Sequence, residues 1–252
     1  MKTSKVIRNM LVIAGLFASL ISCSKNESTT EPEPVDPNIE IQSATKTGTG
    51  FSYKVFFQEE ISNKTRRGII ILAVGDGGNI NDATLNDQCD ALARKGFVAI
   101  TTTYRTNSDY YAGFKEDMEQ IINKETMAFD IARNKVVLGG LSRGGNRLHG
   151  SVLPGQMNNV PPIKGIKGLI LECAGGDEWK GSALLFPVLF MNNKVDAQVQ
   201  TTDAETFKNG LQNNSNPGVK DLSHCLIVAG SGHCSQVATY KDFILEHIDS
   251  WF

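Results

Sequence analysis

The chain has 252 residues, of which 40% are hydrophobic and 21% charged, and its formal net charge is −2. That is ample material for one large globular core. A slightly acidic balance leaves no basic footprint, so no nucleic-acid partner is expected.

In chain order, the first two dozen residues differ in kind from the rest. Lys2, Lys5 and Arg8 precede the apolar run Met10 to Ile21, which is too short to span a bilayer comfortably. Residues 1–22 read as a signal peptide. LISC, Leu20 to Cys23, resembles the lipobox of bacterial lipoproteins, which implies cleavage before Cys23 and lipid on that cysteine. Several acyl chains anchor stably where one is marginal, so a membrane is the expected partner of this end. Ser24 stands where an aspartate would hold an enteric lipoprotein at the inner membrane, and the same resemblance therefore implies the outer membrane of a bacterial cell envelope. From Ser24 to Pro37 the chain is polar, proline-bearing and almost without apolar residues; residues 23–38 are read as the lipidated cysteine and a flexible tether. Removing residues 1–22 takes three basic residues and no acidic one, leaving 22 against 27.

Residues 39–252 form the remaining domain. Strands and helices alternate through it, which predicts an α/β fold with a mostly parallel sheet and helices on both faces. Ile39 to Ala44 and Phe51 to Gln58 make an antiparallel start, joined by the turn-rich KTGTG. Strands over 68–74, 97–103, 135–140, 166–172, 187–192 and 224–229 bring the total to eight. Helices are expected over 81–95, 111–124, 144–153, 201–213 and 236–250. In the last, Val237, Tyr240, Phe243, Ile244, Ile248 and Trp251 recur at helical spacing and read as core packing.

Lys135 to Gly145, KVVLGGLSRGG, carries the most chemical information. An apolar run leads into Gly140, Ser142 and Gly144, spelling GxSxG between a buried strand and a helix. A serine held at a strained backbone angle needs neighbours without a Cβ so that strand and helix can close around it. Such a serine is a poor nucleophile until a histidine takes its proton and a carboxylate orients that histidine. Both partners are expected downstream, acid first. PVLFMNNKVDAQV places Asp196 just beyond a strand, and HCLIVAGSGH delivers His233 after the last one.

These segments resemble the α/β-hydrolase family in its small dienelactone-hydrolase-like or esterase-like form, from about Ile39 to the end. The resemblance implies an eight-stranded α/β-hydrolase fold and a serine hydrolase acting on carboxylic esters. Ser142, His233 and Asp196 would be nucleophile, base and orienting acid. Asn193 stands where similar proteins usually carry glycine, and Leu141 where many carry histidine. Gly75 to Asn79, GDGGN, resembles the glycine-rich loop that supplies an oxyanion donor, a group worth roughly 3 kcal/mol of transition-state stabilisation. Gly77 or Gly78 is the expected first donor, and the Arg143 N–H the second. Only Ala174 to Phe186 is available for a lid, so the cleft should be open, suiting small or polymer-linked esters, with Tyr110, Tyr111 and Trp179 at its rim. Neither cofactor nor metal is implied. A peptidase or amidase of the same fold, or a silent hydrolase fold used as a binding module, remain the alternatives.

Other residues have plainer readings. The glycine loops fit a dinucleotide site poorly, since Ile80 stands where a third glycine is needed and no GKS or GKT comes after them. There is no CxxC or HExxH, and the histidines are scattered singly. Glu172 and Asp177 are the minority candidates for the acid. His149, His224 and His247 read as structural or surface residues, and the Arg143 side chain as a salt-bridging group on its helix. Cys89, Cys173, Cys225 and Cys234 of an exported protein admit three pairings, among which the sequence does not choose.

Overall fold

Runs of β-branched and aliphatic residues make the middle of the sheet. In β3 (Ile69–Ala73), β4 (Val98–Thr102) and β6 (Gly168–Glu172) every residue is buried, as is all of β5 (Val136–Leu141) but its last. Strands covered on both faces read as continuous apolar runs. The computed structural model describes residues 39–59, 65–106, 110–155, 160–196, 198 and 201–252. The signal segment 1–22, Cys23 and the tether to residue 38 lie outside the described residues.

The sheet has eight strands in the order β1-β2-β4-β3-β5-β6-β7-β8, adding β1 (Ile41–Thr47), β2 (Ser52–Gln58), β7 (Val188–Val195) and β8 (His224–Ser231). β1 pairs antiparallel with β2, and β2 with β4; the pairings from β4 through β8 are parallel. The helices are α1 (Ala83–Arg94), α2 (Ala112–Ala128), α3 (Arg143–Val152), α4 (Glu178–Ala183), α5 (Thr201–Gln212), α6 (Pro217–Lys220) and α7 (Val237–His247). Neighbouring strand residues point to opposite faces. Thr101 meets Cys89 of α1, whereas Tyr53, paired in register with Thr102, reaches Glu125 of α2.

Several boundaries differ from the sequence expectation. β1 runs on to Thr47, leaving a shorter hairpin turn. α2 continues past residue 124, because Glu125 is fully buried and takes a 2.6 Å contact from Lys46 Nζ and a 2.7 Å hydrogen bond from the Tyr53 hydroxyl. β7 and β8 each run further than expected. Two short helices add to the expected set: Asp177 caps α4, and Asn216 caps α6, with Pro217 in its first turn. α7 stops at His247 and tightens into a 3-10 turn over Ile248–Trp251; Val237, Tyr240, Ile244, Ile248 and Trp251 are buried in the core. Among the described residues no helix is long and apolar enough to cross a membrane.

Because β5, β6, β7 and β8 are consecutive and parallel, their carboxyl ends share one edge of the sheet. Ser142, Cys173, Asp196 and Gly232 each come directly after the last residue of one of these strands. Ser142 and His233, 91 residues apart in sequence, are thus brought to one crevice, the usual place for chemistry in an open α/β sheet.

Candidate active site

Ser142 turns directly from β5 into α3, with φ 53° and ψ −117°. A Cβ on Gly140 would lie 2.5 Å from Gly144 C, and one on Gly144 would lie 2.5 Å from Val74 O. The turn closes only because both positions are glycine. The Ser142 N–H donates to Glu172 O at 2.7 Å, pinning the elbow to β6.

The hydroxyl of Ser142 meets His233 Nε2 at 2.6 Å. On the other side of the ring, His233 Nδ1 lies 2.9 Å from Asp196 Oδ2 and 3.1 Å from Oδ1. With Nδ1–H donating to the carboxylate, Nε2 accepts from the serine, the tautomer needed to remove its proton. The Asp196 carboxylate is fully buried and also accepts from the Gln198 N–H at 2.8 Å. The three side chains named from the sequence are joined in one hydrogen-bonded chain.

The backbone around them is strained. Among the described residues four non-glycines have φ in the left-handed region, and three of them, Ser142, Cys173 and Cys234, are gathered here. Each such angle costs roughly 1–2 kcal/mol for a residue with a Cβ, and persists only where surrounding structure fixes it. Cys173 and Cys234 form a disulfide, with Cα atoms 5.5 Å apart; it belongs to one of the three complete pairings that the sequence leaves open, but the second bond of that pairing is not made. Cys89 and Cys225 are free; burial pushes both thiols up to about 12. Asn193 is fully buried. Its amide donates to Gly232 O and, at 2.9 Å, to Ser235 Oγ, while Tyr240 donates its hydroxyl to Asn193 Oδ1 at 2.6 Å.

The glycine loop narrows the choice between Gly77 and Gly78. The Gly78 N–H donates to Gly75 O at 3.2 Å and is engaged in its own turn, so Gly78 is not a free oxyanion donor. Gly77, at φ 70°, has open space where a Cβ would stand. Gly75 lies against the elbow, its hypothetical Cβ 3.5 Å from both Leu141 O and Ser142 Cβ. The peptide from Gly75 to Asp76 therefore runs beside the nucleophile, a placement that the loop's sequence alone does not distinguish. Arg143 opens α3, where first-turn amides have no partner within the helix. Its side chain crosses to Asp76 at 3.1 Å instead of pairing along its own helix. Both groups are about half exposed, so the pair is worth at most about 1 kcal/mol.

Glu172 and Asp177 point elsewhere. Glu172 is fully buried and takes one bond, 2.9 Å from Gln88 Nε2; Oε1 of each residue has no partner. Burial pushes the Glu172 carboxyl up to about 7, against the opposing effect of Gln88. Asp177 caps α4 and pairs with Lys180. His149 is buried edge-on to Phe207 and pulled down to about 3 by loss of solvent. His224 stacks on His247 with ring centroids 4.2 Å apart, at the amino end of β8 and away from the site. Tyr110 and Trp179 are exposed, and the Arg147 guanidinium lies 4.2 Å from the Tyr110 ring centroid and 4.8 Å from that of Tyr104. Among the described residues no three His, Cys, Asp or Glu side chains gather as for a metal.

No known-family model matches the sequence, and no curated protein matches it. Solved structures do. An esterase from the Planctomycetes species Thermogutta terrifontis, with butyrate bound, superposes with a TM-score of 0.60 at 16% identity over 85% of this chain and 94% of its own. The same Thermogutta esterase has also been solved phosphorylated by paraoxon. A Klebsiella pneumoniae protein assigned as a dienelactone hydrolase gives 0.59 at 14% identity, over 84% and 98%. The Pyrococcus furiosus esterase Pf2001 gives 0.62 at 11% identity, over 84% and 93%. Sheet order, elbow and near-complete coverage of these neighbours agree: the chain has the α/β-hydrolase fold.

Proposed function

We propose that this protein is a serine hydrolase that cleaves carboxylic esters through an acyl-enzyme, held at the bacterial cell envelope by lipid on Cys23. The observation that carries the chemistry is the chain Ser142–His233–Asp196, with contacts of 2.6 and 2.9 Å at a strained elbow. Ser142 Oγ attacks the acyl carbon while His233 Nε2 takes its proton. That proton passes to the leaving alcohol as the carbon–oxygen bond breaks, and Asp196 balances the imidazolium in between. Water then attacks the acyl-enzyme, with His233 again as base. The Arg143 N–H and an amide of the Asp76–Gly77 turn would donate to the oxyanion. Solved neighbours of the same fold are named as esterases and a dienelactone hydrolase, which supports an ester as substrate. The short interval between β6 and β7 holds only α4, which supports an open cleft for small or polymer-linked esters. A disulfide beside the site suits an oxidising compartment, in keeping with export and the lipobox-like LISC.

The test is labelling of the purified protein with a fluorophosphonate, followed by mass spectrometry and turnover of p-nitrophenyl esters of increasing acyl length. Wild type should carry the adduct on Ser142, and Ser142→Ala should lose labelling and about 10⁴-fold or more in turnover while keeping its circular dichroism. Absence of an adduct on folded wild type would point to a silent fold used for binding.

A further inference from the structure

His233 sits in a turn of unusual backbone conformation. Gly232 before it has φ 98° and Cys234 after it has φ 53°, so both neighbours are in the left-handed region. The strand pairing that leads into the turn is irregular. Along β7 and β8 the register runs Asn193 with Val228 and then Val195 with Ser231, two steps on one strand against three on the other. β8 carries an extra residue there, and such a bulge breaks the ladder locally and re-aims the side chains next to it. The ring must nonetheless keep Nε2 on Ser142 and Nδ1 on Asp196.

Besides the Gly232 N–H, which donates to Val195 O at 3.0 Å, two side-chain devices act on this turn. One is the Cys173–Cys234 disulfide, which ties the residue after His233 to the end of β6. The other is Asn193. It lies three residues before Asp196 on β7, is fully buried, and donates to Gly232 O, the carbonyl adjoining His233, and to Ser235 Oγ. Ser235 Oγ in turn donates to Ser231 O at 2.8 Å. The Asn193 amide is itself fixed by the Tyr240 hydroxyl from α7. A glycine in this place would supply none of these bonds.

We infer that Asn193 is a positioning residue for His233, forming with the Cys173–Cys234 disulfide a two-point clamp that fixes the base against the acid and the nucleophile. Asn193 touches neither substrate nor reacting atoms; it acts through the turn. This inference rests on the reading of Ser142 and His233 as nucleophile and base. A misplacement of about 1 Å is enough to cost up to about 100-fold in rate, while binding of the ester is untouched.

The experiment compares wild type with Asn193→Gly, Tyr240→Phe, Cys234→Ala and the combination of Asn193→Gly with Cys234→Ala. Asn193→Gly should lower kcat about 10- to 100-fold, with KM changed no more than about twofold, and slow fluorophosphonate labelling of Ser142 by a similar factor. Tyr240→Phe, which removes one hydroxyl and keeps the packing, should lose several-fold in the same sense and serves if the glycine variant does not fold. Because both devices hold one turn, the combined variant should lose more than the product of the single losses. The His233 Nδ1 proton should give a sharp signal in the nuclear magnetic resonance spectrum of wild type and a broadened one in Asn193→Gly. Wild-type kcat per labelled serine in both Asn193→Gly and Tyr240→Phe, or an unchanged Nδ1 proton signal, would overturn the clamp. Wild type that neither labels nor turns over would instead remove the hydrolase reading, while the proton signal would still decide whether Asn193 holds the ring.

Discussion

Ionisation of Glu172 opposes the fold. Its carboxyl is fully buried and pushed up to about 7, above the ordinary 4.5, by loss of solvent. A group whose folded value is raised contributes stability that is fully present below about pH 4.5 and is lost as pH rises through about 7. Glu172→Gln removes that loss, puts an amide N–H in place of the partnerless Glu172 Oε1, and so offers a donor to Gln88 Oε1, which also has no partner. Urea unfolding should show the variant more stable than wild type by about 1–3 kcal/mol at pH 8, with a smaller difference at pH 5. Ester turnover should persist, since Asp196 and not Glu172 meets His233; its loss would reopen the assignment of the acid. Ser142, Asp196 and His233 are legible in the sequence because GxSxG and the order of acid and histidine after strands are local patterns. The bonds of Asn193, the disulfide partner of Cys234 and the engagement of Gly78 are not, because each depends on which loop returns to which strand end.

The elbow shows the same contrast at the scale of elements. β5 and α3 are both readable, one from its apolar run and the other from the residues after the glycines. Their angle is set by contacts that no local pattern reveals. Gly144 lies where a Cβ would press on Val74 O at 2.5 Å and Ala73 O at 2.8 Å, both main-chain atoms of the neighbouring segment. Gly144→Ala should therefore push α3 off β3 and carry the Arg143 N–H away from the loop at Asp76. The expected outcome is a destabilisation of about 1–3 kcal/mol, read by thermal melting, and a labelling rate at Ser142 that falls even in the folded fraction. Labelling at the wild-type rate would show that the helix start tolerates the shift. α4 and α6 leave no periodic signal because helices of six and four residues carry too few turns to show one. The end of α2 is hidden from a pattern reading because tertiary bonds to Glu125, not helix propensity, extend it.

At the scale of the whole molecule, the alternation of strands and helices is enough to predict eight strands and a mostly parallel sheet. Alternation fixes the count and direction of strands; the order in which they lie comes from side chains that meet only when the sheet forms. The proposed attachment concerns residues before this body. Removing the cysteine should release it: with Cys23→Ser, the protein should move from the membrane to the soluble fraction on ultracentrifugation while retaining the same specific activity toward esters. Continued sedimentation with membranes would put the anchor elsewhere.

The bond between Cys173 and Cys234 has a topological consequence. It closes a covalent ring spanning 61 residues of sequence, within which lie α4, β7, α5, α6 and β8. Closing a loop of that length withdraws conformational freedom from the unfolded chain equivalent to about 4 kcal/mol. Asp196 and His233 are both inside the ring, and Ser142 is outside it. The carboxylate and the imidazole thus travel as one linked unit, even in a partly unfolded chain, and the serine is brought to them only when β5 docks beside β6.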